Sequence, residues 1–223
     1  MNYKRLAARI AVYILGLLTL AFGVVFAINS DLGVSPVNAL PFAVSTVFGI
    51  RMGISLTSLF LFFLVAQIVL LRKEFKWINL TQIIYSFIFG YFVDFAIFVK
   101  GDFSLPTYAG QLTWLAISLI LIPTGLSMYL EAKLVPMPSE GIVMVITQKL
   151  KNTTFARIKV IFDCVLVTCA ILLTVIALGG ISGIREGTVI SAIFIGKLMP
   201  YTRKAIAYVL GKMGFYEEPA AQA

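Results

Sequence analysis

Long apolar stretches separated by short polar segments dominate the pattern along this chain of 223 residues. Five of these stretches are close to the ~20 residues that an α-helix needs to cross the hydrocarbon core of a membrane. The five predicted spans are Ile10–Ile28, Ile54–Leu71, Ile78–Val99, Leu112–Leu130 and Ile158–Leu178. A sixth stretch, roughly Gly187–Leu210, is weaker because Lys197, Arg203 and Lys204 interrupt it. The pattern therefore predicts an all-α integral membrane protein.

The placement of basic residues indicates that the sixth stretch also crosses. If the N-terminus is inside and six helices cross, fourteen Lys and Arg residues fall on the inner side. Only Arg51, Lys100 and Arg185 then fall outside, which agrees with the excess of basic residues in cytoplasmic loops. With five crossings, the basic C-terminal region would fall outside. We therefore predict six transmembrane helices with both termini in the cytoplasm.

Composition supports this class and excludes several others. Hydrophobic residues make up 60% of the chain and charged residues 13%, against roughly 45–50% and 25% in soluble domains. The chain has no histidine, and its two cysteines, Cys164 and Cys169, lie inside an apolar stretch. This excludes His-dependent triads and a cysteine-based zinc site. The net charge of +8 fits membrane topology, and no basic stripe interleaved with aromatics predicts a nucleic-acid partner. We expect neither an enzyme nor a bound cofactor.

The two halves of the chain share one order of features. Each half has a long helix, a short segment that contains proline, a second long helix, a loop, and a third long helix with a late glycine. A shift of 102 positions aligns the first two helices without a gap, and a shift of 106 aligns the third. The matched pairs include Gly23 with Gly125, Pro36 with Pro138, Phe60 with Phe162, and Gly90 with Gly196. Because each half crosses three times, the second half is predicted to be inverted relative to the first.

The short segments Pro36–Ile50 and Pro138–Leu150 are too short to span, so each is predicted to be a re-entrant or interfacial half-helix. Crossing segments would make the halves parallel and would place the basic residues of 72–76 outside, which the charge pattern argues against. Residues 1–105 and 106–212 are the predicted repeats, and 213–223 a disordered cytoplasmic tail. Gly16 and Gly23, seven residues apart on the first span, predict a close helix contact.

The segment Leu32-Gly33-Val34-Ser35-Pro36-Val37-Asn38-Ala39-Leu40 resembles the LGxSPWDAL signature of the YczE/YyaS/YitT group of bacterial membrane proteins. The second half carries a related pattern, Met137-Pro138-Ser139-Glu140-Gly141, followed by Arg157 and Asp163. The resemblance covers nearly the whole chain, although Val37-Asn38 replaces the Trp-Asp of the group and removes a carboxylate. It implies a multi-pass protein of the bacterial inner membrane and leaves the activity open.

Ionisable residues inside a membrane are costly and mark candidate functional positions. Asp163 lies near the inner end of the fifth span and Lys197 near the middle of the sixth, so we expect these two side chains to form an ion pair between neighbouring antiparallel helices. This pair would serve either packing or a proton- or ion-coupled gate. Polar groups at the starts of the half-helices are further candidates. The substrate- or ion-binding candidates are Ser35, Asn38, Asp94, Ser139, Glu140, Asp163 and Lys197.

Inverted repeats with paired broken segments and buried ionisable residues are typical of small secondary transporters, and this is the leading hypothesis for the chain. Two alternatives stay open. One is a non-transporting accessory, sensor or immunity protein of the membrane. The other is a substrate-binding subunit of an importer of the energy-coupling-factor type. The predicted partners are the lipid bilayer and a small solute, and the sequence leaves open a homodimer or a membrane partner protein.

Overall fold

The computed structural model describes residues 3–101, 103, 106–150, 152–213 and 215. The described residues form eight α-helices and two 3-10 turns. The helices are α1 (Tyr3–Asn29), α2 (Pro36–Phe48), α3 (Met52–Leu71), α4 (Thr81–Lys100), α5 (Tyr108–Glu131), α6 (Pro138–Lys149), α7 (Phe155–Leu178) and α8 (Glu186–Lys212). The 3-10 turns are Arg72–Glu74 and Trp77–Leu80, between α3 and α4. The predicted all-α class is confirmed.

Five helices are long and apolar enough to cross a membrane, namely α1, α3, α4, α5 and α7. They correspond to the five predicted spans; α1, α3, α5 and α7 extend beyond the apolar stretch at one or both ends, whereas α4 begins three residues after Ile78, which lies in a 3-10 turn. The helix α8 contains 27 residues, which is about 40 Å at ~1.5 Å per residue. It is long enough to cross but more polar than the other five, as the sequence indicates.

The two half-helices form where the prolines predict them. Both α2 and α6 have proline at the first helical position, where its missing N–H costs nothing. With 13 and 12 residues they reach only about 20 Å. Ser35 occupies the cap position of α2 but its side chain makes no cap hydrogen bond, and Met137 occupies the cap position of α6.

The helices α1 and α5 form the centre of the molecule and run antiparallel. A β-carbon placed on Gly16 would lie 2.7 Å from the backbone nitrogen of Tyr129, and one on Gly23 would lie 2.9 Å from that of Ile122. Increasing numbers on α1 therefore meet decreasing numbers on α5. Side chains larger than hydrogen would push these backbones apart, so the predicted close contact at Gly16 and Gly23 is confirmed.

The remaining helices pack around this centre in related pairs. The helix α4 packs on α1 and α8 packs on α5, while α2 packs on α7 and α6 packs on α3. The helices α3 and α4 also pack extensively on each other, whereas α7 and α8 hardly touch. The expectation that the fifth and sixth long helices are packed neighbours is therefore wrong. The connection between α7 and α8 is short, but α8 packs against α5 and not against α7.

Most of the predicted tail, residues 214 and 216–223, lies outside the described residues. Of the two positions described there, Phe215 is buried and its backbone N–H donates to the Leu210 carbonyl oxygen at 3.0 Å.

Candidate functional site

Polar side chains from several helices gather where α6 begins. This region lies beside the central α1–α5 pair, with α3 on one side of α6 and α7 on the other. We call the following residues the α6 cluster: Tyr13, Gln67, Gln82, Tyr129, Ser139, Glu140, Lys159 and Asp163. Five of them, Tyr13, Gln67, Gln82, Tyr129 and Ser139, are buried.

A pair of glutamine side chains forms the α3 side of the cluster. Gln67 donates from Nε2 to the Gln82 side-chain oxygen at 3.0 Å, and Gln82 returns a longer bond of 3.4 Å. Gln67 Nε2 also donates to the Pro138 carbonyl oxygen at 3.3 Å. Gly141 lets the amide approach α6, because a β-carbon there would lie 2.6 Å from the Gln67 side-chain oxygen. The two buried amides satisfy each other's hydrogen-bonding groups, so they make this part of the cluster polar without adding a charge.

The Glu140 carboxylate lies on the side of α6 that faces the two tyrosines and α7. It accepts a hydrogen bond from the Ser139 hydroxyl at 2.9 Å. The buried hydroxyl of Tyr129 lies close to this carboxylate, at the range of a weak hydrogen bond but without the geometry of an ordinary one. The ring of Tyr13 lies 5.5 Å from that of Tyr129, and the Tyr13 hydroxyl donates to the Val135 carbonyl oxygen at 3.2 Å.

Asp163 completes the cluster through Lys159. The Lys159 ammonium group forms an ion pair and hydrogen bond with the Asp163 carboxylate, one turn further along α7. Lys197 is exposed on α8 and takes no part in it. The predicted ion pair between Asp163 and Lys197 is therefore wrong. The cation comes from position i−4 of the same helix, where side chains of a helix lie close together.

A cavity of about 260 Å³ reaches the glutamine pair from the ends of α3 and α6. Gln67, Gln82 and Gly141 form part of its wall, and Glu74 and Lys76 contribute charges. Glu74 also pairs with Lys149 at 3.1 Å. The cavity has the size of a small polar solute, and its amides offer both hydrogen-bond donors and acceptors.

The start of α2 is a second and smaller polar site. The Asn38 side chain donates to the Ser35 hydroxyl at 2.8 Å, and both residues are buried. The chain before α2 is held by the connection between α7 and α8, since Val34 N–H donates to the Gly183 carbonyl oxygen at 3.0 Å. Gly33 has a φ of 113°, a conformation that favours glycine. The hydroxyls of Thr188 and Ser191 are buried nearby on α8 and have no partner in the described part of the chain.

Asp94 lies apart from both of these sites, where α3 begins against the end of α4. Its Oδ1 accepts a hydrogen bond from the Gly53 backbone N–H at 2.8 Å, and its Oδ2 lies 3.6 Å from Nε of Arg51. This arrangement ties the two helices together. It gives Asp94 a packing role in the described structure.

An open groove of about 490 Å³ lies between α5 and α8. Arg203 donates to the buried carboxylate of Glu131 at 2.6 Å on its wall. Because this groove holds an ion pair that is already formed and faces outward along α8, it is a weaker candidate than the α6 cluster.

The structure thus divides the predicted binding residues among separate places. Ser139, Glu140 and Asp163 meet in the α6 cluster. Ser35 and Asn38 pair at the start of α2, and Asp94 and Lys197 belong to neither group. The described residues hold no group of three or more Cys, Asp or Glu side chains that could bind a metal ion.

Five members of the cluster were not predicted from the sequence, namely Tyr13, Gln67, Gln82, Tyr129 and Lys159. Gln67 carried a usable signal, because an amide inside an apolar span needs a buried partner. The tyrosines carried none, since aromatic residues are common in membrane helices.

Comparison with known proteins identifies the family of this chain. Residues 7–204 match a protein family described as a family of unknown function, DUF6198. The chain belongs to this family. It is 29% identical over 188 residues to the uncharacterized protein YyaS of Bacillus subtilis, covering 84% of this chain and 88% of that protein. It is also 29% identical over 147 residues to the uncharacterized membrane protein YczE of the same organism, covering 66% of each. No solved structure matches the chain significantly.

These relatives confirm the resemblance to the YczE/YyaS group that the Ser35-Pro36 motif indicated. They also agree with the five apolar helices in identifying a membrane protein.

Proposed function

We propose that this protein is a small secondary transporter or permease for a small polar solute, without enzymatic activity. The α6 cluster carries the proposal. Its side chains come from both proposed repeats, and five of the eight are buried at the start of a half-helix, beside a cavity of about 260 Å³. Solute sites of secondary transporters lie where broken helices of two repeats meet.

The helix arrangement supports an inverted repeat. Counterpart helices of such a repeat run in opposite directions, and α1 and α5 do so at the centre of the molecule. The contact between α1 and α4 has its counterpart in α5 with α8, and the contact between α2 and α7 in α6 with α3. The exchange of α2 and α6 between halves fits two interlocked repeats around one site.

The proposal includes six crossings in a bacterial inner membrane, with both termini in the cytoplasm. The helix α8 would be the sixth crossing, and its length of about 40 Å is sufficient for one. The distribution of basic residues favours this orientation. The cavity beside Gln67 would then open towards the cytoplasm, because it lies at the end of α3 and the start of α4.

The first test is a thermal-shift screen of the detergent-purified protein against amino acids, nucleobases, vitamins, organic anions and inorganic ions. We expect at least one solute to raise the melting temperature of the wild type by a few degrees through binding to the folded state. Gln67→Leu should abolish that shift, because it removes an amide from the cavity wall. Gln111→Leu, the same change at the other end of the bundle, should retain it.

Counterflow in proteoliposomes then separates transport from binding. A solute that binds but is not exchanged across the membrane would contradict the transporter and leave a binding protein. If no solute changes the melt, the proposal of a solute site fails as well.

One observation favours a second candidate, an accessory, sensor or immunity protein or an importer subunit that works through a membrane partner. Among the five apolar helices α7 is the least covered by the rest of the described chain, with 17% of its most apolar window buried against 33–50% in the other four, and Ile176 lies on its uncovered side. A second copy or a partner helix would bury this side. Cross-linking in native membranes, followed by analysis of the cross-linked species, distinguishes a homodimer or partner complex from a monomeric permease.

A further inference from the structure

Glu140 differs from the other acidic residues of the described chain. Six of them, Asp31, Glu74, Asp94, Glu131, Asp163 and Glu186, lie within 4.0 Å of a Lys or Arg nitrogen. Glu140 forms no such ion pair with any described residue, although the chain carries a net charge of +8. Its one hydrogen bond of ordinary geometry to a described side chain joins it to a neutral group, the Ser139 hydroxyl.

The groups that face Glu140 come from every element around it. Helix α1 presents Tyr13, with Arg9 one turn earlier, and α5 presents the buried Tyr129 hydroxyl, which forms no hydrogen bond of ordinary geometry with a described residue but lies close to Glu140. Helix α7 presents Lys159, a cation close enough to act on the Glu140 carboxylate but bonded to Asp163. Helix α3 faces α6 with Gln67, which carries no charge.

This arrangement suits a carboxyl group that changes its charge. A carboxylate without a counter-ion is costly in a buried site, and protonation removes that cost. As a carboxylate, Glu140 can accept from both Ser139 and Tyr129. As an acid it keeps an acceptor for Ser139 and gains an O–H that can donate to the Tyr129 oxygen. The Tyr129 hydroxyl, which lies close to Glu140, therefore fits either state.

We propose that Glu140 is the site at which this protein binds and releases a proton, and that the proton is the coupling ion of the proposed transporter. The coupling rests on the proposed function, whereas the protonation of Glu140 does not. The half-helices differ in this respect, since position 38, which the proposed repeat matches to 140, carries an amide that cannot titrate.

The test compares thermal melts of the detergent-purified wild type, Glu140→Gln and Glu74→Gln between about pH 5 and pH 9. Glutamine mimics the neutral acid. At high pH, Glu140→Gln should melt a few degrees above the wild type, because the wild type then holds an uncompensated charge. As the pH falls, the wild-type residue is protonated and the difference should vanish. Glu74→Gln makes the same charge change at a side chain that is 71% exposed, and it should not follow this course.

Infrared spectroscopy provides a second measurement that does not depend on stability. The wild type should show the carbonyl band of a protonated carboxylic acid that disappears at high pH and is absent from Glu140→Gln. A difference in melting temperature that stays constant with pH would overturn the proposal, as would the lack of this band. A Glu140-dependent stabilisation by Na⁺ at high pH would also overturn it, because the site would then bind a metal cation.

The two proposals fail separately. Neither the melts nor the infrared band requires a solute. If Glu140 titrates as expected but no solute is exchanged in proteoliposomes, the transporter and the coupling role fail while the protonation site stands. If net uptake of the solute into proteoliposomes moves no protons across the membrane in either direction, the proton is not the coupling ion.

Discussion

The helix pair α3–α4 is closed, whereas the pair α7–α8, which the proposed repeat places in the corresponding position, is open. In the first pair, Gly53 and Gly90 bring the two backbones together, and a β-carbon on Gly90 would lie 2.6 Å from the Gly53 carbonyl oxygen. In the second pair, a β-carbon on Gly196, the counterpart of Gly90, would meet no atom within 4 Å. The same residue type thus has a packing role in one half and none in the other.

The residues opposite these glycines account for the difference. In α3 they are small, and Thr57 donates from its hydroxyl to the Ser86 carbonyl oxygen of α4 at 3.2 Å. The shift of 102 positions matches Gly53 to Phe155 and Thr57 to Lys159. These positions of α7 therefore carry a phenylalanine and a lysine, whose side chains are too large for a close helix crossing. A glycine therefore permits close packing only when the facing helix also carries small side chains at that level.

Substituting alanine at the two glycines gives the largest expected effect, with opposite signs. Gly90→Ala places a β-carbon against Thr57 and the Gly53 backbone, so we expect a loss of about 1–3 kcal/mol in the free energy of unfolding. Gly196→Ala meets no neighbour and replaces glycine within a helix, which should stabilise by about 0.5–1 kcal/mol. Chemical unfolding in detergent measures both changes. Equal losses at the two positions would show that α7 and α8 are packed in solution.

Substituting Asp94 should have an intermediate effect on stability, at the same contact between α3 and α4. Asp94→Ala leaves the Gly53 N–H without its acceptor, so we expect a loss of about 1–2 kcal/mol in the free energy of unfolding. Arg51→Ala removes only an ion pair whose arginine side chain is 73% exposed, and it should cost less than about 1 kcal/mol. The corresponding position in α8 is Pro200, which offers no side-chain acceptor. If Arg51→Ala costs as much as Asp94→Ala, the ion pair and not the backbone hydrogen bond closes this contact.

The sequence predicted what depends on local pattern. Long apolar stretches located the five apolar helices, and Ser35-Pro36 and Met137-Pro138 located the starts of the half-helices. Gly16 and Gly23 indicated the central contact, because two small residues on one helix face need a close partner. These features follow from residues near one another in the chain.

The residues that form the site come from distant parts of the chain, so fewer of them could be predicted from the sequence. Gln67 and Gln82 meet only because α3 and α4 pack together, which no local pattern specifies. Hydropathy places a residue at a depth in the membrane but does not give the rotation of its helix or the identity of its neighbours. The predicted pair of Asp163 with Lys197 used depth alone, and it failed for this reason.

The smallest expected effect concerns the wrongly predicted ion pair between Asp163 and Lys197. Lys159→Met leaves the half-buried Asp163 carboxylate without its cation, so it should lower the free energy of unfolding by about 1 kcal/mol or more. Lys197→Met removes an exposed charge on α8 and should change it by less than about 0.5 kcal/mol. Both variants lose one positive charge at a lysine, so the difference between them reports the partner and not the net charge. Equal losses would mean that α8 approaches α7 in solution, since only a closed α7–α8 pair would bring Lys197 to the carboxylate that Lys159 now holds.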